Sequence, residues 1–87
     1  MQNKNQSIFL IVRSRDEIYF QGQVRSFSSA NEKGKFDVLV NHANFITLVN
    51  QKVTVRMLDG NERDIEMNEG LLRVSKNAAQ IFIGFGG

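Results

Sequence analysis

The residues of this 87-residue chain that could take part in acid–base or metal chemistry are chiefly its nine acids. They lie mostly at predicted outward strand positions or in turns, so salt-bridging surface acids are favoured over an acid–base pair, although sequence does not show spatial pairing. His42 is the single histidine, so a Ser-His-Asp or metal scheme would depend on one imidazole. The chain has no cysteine, which excludes disulfides, thiolate metal sites and cysteine nucleophiles. It also lacks G-x-S-x-G, phosphate-loop and H-E-x-x-H motifs. We therefore predict no catalytic, cofactor-binding or metal-binding residue, and we predict that the chain is not an enzyme.

The charged residues are mixed rather than clustered. Eleven lysines and arginines against nine acids give a net charge of +2. Arg13 and Arg15 precede Asp16 and Glu17, a mixture typical of a solvated surface. Because nucleic-acid binding needs clustered positive charge, we expect no nucleic-acid partner. No apolar run is long enough to cross a bilayer, so we expect no direct membrane insertion.

Short alternating segments separated by turn residues predict an all-β chain. Residues 18–25 alternate apolar and polar side chains with period two, and this pattern slips at Ser26-Phe27, which predicts a bulge. Residues 28–35 are predicted to form the main loop. Asp59-Gly60 predicts a type I′ hairpin turn. Residues 1–6 are polar and aperiodic, which predicts a disordered tail. Residues 7–87 are predicted to form one domain, a sandwich or a barrel.

The strand at residues 45–49 has apolar side chains on both predicted faces, with Thr47 as its only polar member. It is therefore either central in a two-layer core or exposes one face to another protein. The second alternative gains weight because a chain this small has little core volume. His42 lies in the preceding polar turn, where it could cap the turn or pair with Asp37.

Residues 34–47, with the sequence GKFDVLVNHANFIT, resemble the signature of the ε subunit of F-type ATP synthases. Collinear flanking segments extend this resemblance over residues 7–83, including the strand at 18–24 and the segment EGLLRV at 69–74. The resemblance implies a flattened all-β sandwich of about ten short strands. It covers the N-terminal domain of that family, and the helical C-terminal hairpin is absent from the sequence.

The resemblance also implies a role in the central stalk of the rotary motor. There the domain would dock on the γ subunit, rest on the membrane-embedded c ring and couple rotation between the ring and the catalytic head. It would lie on the cytoplasmic side of the membrane as a peripheral part of the complex. Ser14, His42 and Thr47 match positions that face γ, and Phe45 completes the predicted γ-subunit interface. The predicted ring-facing loop contains three charged residues, Glu32, Lys33 and Lys35.

Several positions depart from the family pattern. Val40 and Asn44 replace two prolines, Asp37 replaces a glycine, and Lys35 occupies a commonly acidic position. The chain ends at Gly87, so regulation by the helical hairpin is not transferred to it. A shortened fragment, a naturally short ε subunit and a diverged F-type-like rotary ATPase subunit are all compatible with these departures.

The alternative function is a small nucleic-acid-binding β-barrel of the OB or cold-shock kind. Tyr19-Phe20 and Gly34-Lys35-Phe36 have the aromatic and basic character of such surfaces. Against it, both phenylalanines fall on predicted apolar faces.

Overall fold

The computed structural model describes residues 7–84, which form seven β-strands and no helix. The predicted tail at residues 1–6 and the last three residues lie outside the described part of the chain. The strands are β1 (Ile8–Arg13), β2 (Ile18–Asn31), β3 (Gly34–Val38), β4 (Phe45–Met57), β5 (Glu62–Ile65), β6 (Glu69–Ser75) and β7 (Ala78–Ile83).

Two long strands join the layers of the sandwich. The strand order is β3-β2-β1-β7-β6-β4-β5, and β2 also pairs with β4. The first halves of β2 and β4 complete a first sheet with β1, β7 and β6, in which β1 and β7 are parallel. Their second halves form a second sheet with β3 and β5. The all-β sandwich is therefore confirmed. The predicted count of about ten strands is wrong, because β2 and β4 continue through both sheets without a break.

Bulges allow β2 and β4 to pass between the sheets. The pairing of β2 with β4 shifts between Val24 and Ser26, which confirms the predicted bulge at the slip in alternation. A second shift lies between Ser28 and Ala30, opposite Gln51, which has a positive φ of 65°. Extra residues at a bulge bend a strand and increase its twist.

The predicted main loop at residues 28–35 is wrong. The strand β2 continues to Asn31, and β3 begins at Gly34, so the turn contains only Glu32 and Lys33. Small polar residues in this segment pair within the sheet: Ser28 Oγ donates a hydrogen bond to Asp37, and Ser29 Oγ donates one to the Lys52 carbonyl at 3.3 Å. Because these hydroxyls have partners, the polar composition is compatible with a strand.

The predicted type I′ turn at Asp59-Gly60 is also wrong in type. Only Gly60 has a positive φ, 95°, and its N–H donates to the Met57 carbonyl at 3.0 Å. The Met57 N–H also donates to the Asn61 carbonyl at 2.7 Å, so three residues, 58–60, connect this hydrogen-bonded pair, with glycine in the left-handed position. Two consecutive positive φ values, the requirement of a type I′ turn, occur instead at Lys76 and Asn77, with φ of 53° and 62°.

The core lies between the inward faces of the two sheets. The first sheet contributes aliphatic side chains and the second adds Phe27 and several valines, and each is worth about 1.5–3 kcal/mol when fully buried. The largest fully buried residues are Phe27, Ile8, Leu10, Leu72, Ile81, Val12, Val24, Val38, Val49, Val53 and Val55. The core thus fixes which face of each strand points to solvent.

Candidate protein-docking surfaces

One outer face of the sandwich is apolar. In-register neighbours share a face of a sheet, so the pairings place Leu48, Leu71 and Phe82 in one row across β4, β6 and β7. Ile46 and Ile11 belong to the next row, on β4 and β1. We call these five residues the outer apolar face. Ile46 is 65% exposed, Leu48 51% and Leu71 40%. Adjacent large apolar side chains with this exposure are typical of a protein-docking surface.

The structure resolves the two alternatives for the strand at residues 45–49. Phe45 and Thr47 are half-buried and Val49 is buried, whereas the alternate residues Ile46 and Leu48 are exposed. One face of this segment therefore packs on the core and the other faces solvent. This is why residues 45–49 have apolar side chains on both faces of the strand.

Polar side chains interrupt the outer apolar face. Arg73 lies opposite Ile46, and Gln80 lies between Arg73 and Ile11 in the same row. A shallow depression of about 230 Å³ lies here, lined in part by Ile11, Arg73 and Gln80. Apolar area with an arginine inside it is the usual composition of a protein interface.

The predicted interface residues His42 and Phe45 lie together at one end of the sandwich. Their ring centroids are 4.9 Å apart, and Phe36 approaches Phe45 edge-on at 5.9 Å. The His42 Nδ1 atom lies 2.8 Å from the Ala43 carbonyl oxygen, so His42 stabilises its own turn rather than pairing with Asp37. A depression lined by Phe45, Ile46 and Arg73, among others, connects this aromatic cluster to the outer apolar face.

Three asparagines, none of which was given a structural role from the sequence, hold this loop in place. The Asn41 N–H donates to Asn77 Oδ1 at 2.6 Å, and Asn77 Nδ2 donates to Asn41 Oδ1 at 3.1 Å. The Lys76 N–H donates to Asn44 Oδ1 at 3.0 Å. Asn41 has a positive φ of 68°, a conformation that asparagine tolerates. An asparagine-rich turn was the available signal, but its partner is 36 residues away.

Ser14 lies in the β1–β2 turn, away from the strand that carries Phe45. It follows β1, which β7 and β6 separate from β4, so three strand spacings, about 14 Å, lie between β1 and β4. Its Oγ accepts hydrogen bonds from the Glu17 N–H at 3.2 Å and the Asp16 N–H at 3.4 Å. The structure therefore does not bring Ser14 into the aromatic cluster. It places Ser14 directly after Arg13, which pairs with Phe82 of the outer apolar face.

Thr47 connects the two groups of predicted residues. Its Oγ1 accepts a hydrogen bond from Asn31 Nδ2 at 3.2 Å, and Asn31 Oδ1 accepts one from the Lys33 N–H at 2.9 Å. Glu32, Lys33 and Lys35 are all exposed, the first two in the β2–β3 turn and Lys35 at the start of β3. The predicted ring-facing loop is therefore a tight hairpin tip, tied through Asn31 to β4.

The outer face of the second sheet is polar. Asp37, Ser28, Thr54 and Asp64 form one row across β3, β2, β4 and β5. Arg56 Nη1 donates to Ser28 Oγ at 2.8 Å. Neighbours on this face thus satisfy one another's polar groups, and we call it the outer polar face.

A hydrogen bond from Thr54 Oγ1 at 2.8 Å, with a second from Lys52 Nζ at 3.1 Å, lowers the pKa of the Asp64 carboxyl. The hydrogen bond between Lys52 Nζ and Asp64 also raises the pKa of Lys52. Both groups are exposed, so this ion pair adds little to stability.

Within residues 7–84 the structure adds no candidate site for catalysis or for nucleic-acid binding. Among residues 7–84, no three acidic or histidine side chains are grouped closely enough to hold a metal ion. No helix in this range is long and apolar enough to span a membrane. Phe20 is buried and Phe36 is half-buried, which leaves Tyr19 as the single exposed ring of the three, rather than a row of open rings on which successive bases stack.

Comparison with known proteins agrees with the fold. Residues 7–84 match the family model described as ATP synthase, Delta/Epsilon chain, beta-sandwich domain. The ATP synthase epsilon chain of a Nitratiruptor species is 34% identical over 67 residues, 76% of this chain and 52% of the relative. That of Clostridium botulinum is 26% identical over 77 residues, 87% of this chain and 58% of the relative. The chain thus spans a little over half the length of these relatives.

Two solved assemblies contain a chain of the same fold. One is the mitochondrial ATP synthase of Euglena gracilis (OSCP/F1/c-ring, rotational state 1), with a TM-score of 0.85, 19% identity, and coverage of 94% of this chain and 53% of that chain. The other is the central stalk and c ring of the Tetrahymena thermophila mitochondrial ATP synthase, with a TM-score of 0.72, 10% identity, and coverage of 93% and 66%. The family match over residues 7–84 and the shared sandwich lead to one conclusion: this chain belongs to the family of the β-sandwich domain of ATP synthase delta/epsilon chains.

Proposed function

We propose that this chain is a non-catalytic, ε-like subunit of the central stalk of an F-type rotary ATP synthase. It docks on a γ-like subunit and helps to couple rotation between the catalytic head and the membrane ring. The observation that carries the proposal is the outer apolar face on a domain of this family, with Ile46 65% exposed and Leu48 51% exposed. In water such a face favours association, because burying apolar area is the main driving force of docking.

The proposed γ-subunit interface contains the outer apolar face and the residues at its two borders. His42 and Phe45 border it at the start of β4, and Ser14 borders it after β1. Thr47 lies on the inward side of β4, so its role is to anchor Asn31 rather than to contact γ directly. This arrangement supports a single continuous contact along the first sheet.

The proposed ring contact lies at the β2–β3 hairpin tip. Glu32, Lys33 and Lys35 are exposed there, and the Asn31 side chain fixes the backbone of the turn. The subunit would then sit on the cytoplasmic side of the membrane as a peripheral member of the complex. It needs no active site or cofactor of its own for this role.

The test compares two leucines that have nearly the same exposure but lie in different parts of the sandwich. Leu48 lies on the outer apolar face and is 51% exposed, whereas Leu58 lies in the β4–β5 turn and is 49% exposed. Each is changed to aspartate, and binding to the co-expressed γ-like subunit is measured by size exclusion and calorimetry. We expect Leu48→Asp to weaken binding about 30-fold or more, as for a central interface residue. Leu58→Asp should bind like the unchanged chain.

Two results would contradict the proposal. The first is the absence of a complex between the unchanged chain and the γ-like subunit at micromolar concentration. The second is an equal loss of binding in the two variants, since this would show that the outer apolar face has no special part. Both variants are first compared with the unchanged chain in thermal unfolding, so that lost binding is not confused with lost folding.

A further inference from the structure

The strand β3 is an edge strand with one side open. It pairs with β2, and no other strand within residues 7–84 lies on its second side. The same holds for β5, which pairs with β4. An open edge presents unpaired N–H and C=O groups that can pair with another strand, unless its side chains prevent this.

The hairpin geometry shows which residues of β3 direct their backbone groups to the open side. The two-residue turn places Asn31 opposite Gly34, and the pair that closes such a turn exchanges hydrogen bonds. By alternation, Phe36 and Val38 bond to β2, while the N–H and C=O groups of Lys35 and Asp37 point outward. The side chains of Lys35 and Asp37 are exposed on the outer polar face.

The open edge of β3 is complementary to itself. Two copies that pair antiparallel about a two-fold axis at Phe36 place Lys35 of each copy opposite Asp37 of the other. Both outward-facing pairs then join opposite charges, which stabilises neighbouring strands. A one-residue slip would mismatch the outward backbone groups, and the next possible register, shifted by two residues, brings Lys35 opposite Lys35 or Asp37 opposite Asp37. The charges therefore favour one register, and a two-fold axis closes the assembly at two copies.

The edge of β5 has the opposite character. The Met57 N–H donates to the Asn61 carbonyl at 2.7 Å, so by the same alternation Glu62 and Asp64 direct their backbone groups outward. Any antiparallel pairing of β5 with itself places an acid opposite an acid. Like charges opposite each other destabilise a pair of strands, so this edge opposes self-association.

We propose that the free chain forms a two-fold dimer by antiparallel pairing of β3 with β3 of a second copy. The dimer is additional to the docking function proposed above and does not depend on it. It uses Lys35, which also belongs to the proposed ring-facing tip. Pairing with a second copy and docking of that tip on a ring therefore exclude each other.

The first measurement follows self-association of the full 87-residue chain. Sedimentation equilibrium and backbone amide NMR spectra are recorded from millimolar to low micromolar concentration. We expect a monomer–dimer equilibrium, with the concentration-dependent amide shifts centred on residues 35–37. A chain that stays monomeric at millimolar concentration would overturn the proposal. So would shifts centred on Ile46, Leu48 and Leu71, which would indicate association through the outer apolar face.

The second measurement exchanges the charges. Lys35→Asp and Asp37→Lys each create like-charge pairs across the two-fold axis, and each should weaken dimerisation at least about tenfold. The double variant K35D/D37K restores opposite charges and should dimerise like the unchanged chain. Lys76→Asp, the same charge change in the exposed β6–β7 turn, is the matched control and should have no effect.

The double variant separates the pairing from a general effect of charge. Failure of K35D/D37K to restore dimerisation, in a folded protein, would contradict the proposed register. If Asp37→Lys does not fold because it loses its bond to Ser28, the comparison of Lys35→Asp with Lys76→Asp decides. Equal effects of these two substitutions would then overturn the proposal.

Discussion

Replacement of Gly70 by alanine tests the close packing of β6 against β7. A Cβ atom at Gly70 would lie 3.1 Å from the Cγ2 atoms of Ile81 and Ile83 and 3.3 Å from the Phe82 carbonyl oxygen. These contacts are shorter than ordinary van der Waals separations, and the neighbours belong to a central strand that cannot move freely. Overpacking of this kind costs about 1–3 kcal/mol. The reduced entropy of the unfolded alanine chain offsets about 0.4–1 kcal/mol of that.

We therefore expect Gly70→Ala to lower the free energy of unfolding by about 1–2 kcal/mol. Gly22→Ala is the matched control, because Gly22 also lies within a strand and a Cβ atom there meets nothing within 4 Å. It should leave stability unchanged or raise it by about 0.4–1 kcal/mol. Urea unfolding followed by circular dichroism measures both, with an unchanged m-value as the sign that only stability differs. Equal stability of the two variants would refute the packing argument.

Two further predictions concern the Asp64 carboxyl and the backbone conformation of Lys76. Because hydrogen bonds from Thr54 and then Lys52 lower the pKa of Asp64, Thr54→Val and Lys52→Gln should each raise this pKa. An NMR titration of the carboxyl measures both; an unchanged pKa in Thr54→Val would contradict the assignment. The stability from Asp64 is present above its ordinary pKa of 3.8 and is lost as the pH falls through the lower folded value. Lys76→Asn should raise the free energy of unfolding by up to about 1 kcal/mol, since asparagine tolerates a positive φ better than lysine. Thermal unfolding tests it, and a lower melting temperature would contradict it.

The sequence was informative where one side chain or a short pattern decides the structure. Period-two alternation predicted the first half of β2, and its slip predicted the bulge near Ser26. The absence of cysteine excluded disulfides, thiolate metal sites and cysteine nucleophiles without any structure. Predictions failed where a distant partner decides. Residues 28–31 are composed like a loop, but they form a strand because Asp37 and Lys52 provide partners for their hydroxyls.

The candidate docking surfaces show the same limit. Sequence alone showed that residues 45–49 have apolar side chains on both faces of the strand, but it could not say which face points to solvent. That choice depends on the rows that β4 forms with β6 and β7, which place Leu48 beside Leu71 and Phe82. Asn41 and Asn77 could not be paired from sequence for the same reason, since the contact joins two distant turns.

The sequence by itself determined that this is a small chain without cysteine and with all-β patterning, and that residues 34–47 resemble an ε signature. These properties follow from composition and local order, which need no knowledge of neighbouring strands. The tertiary structure alone decided that one outer face is apolar, that the other is internally paired, and that Lys35 and Asp37 lie on an open edge. Strand pairing joins residues far apart in the chain, and it fixes their faces and edges only when the whole sandwich has closed.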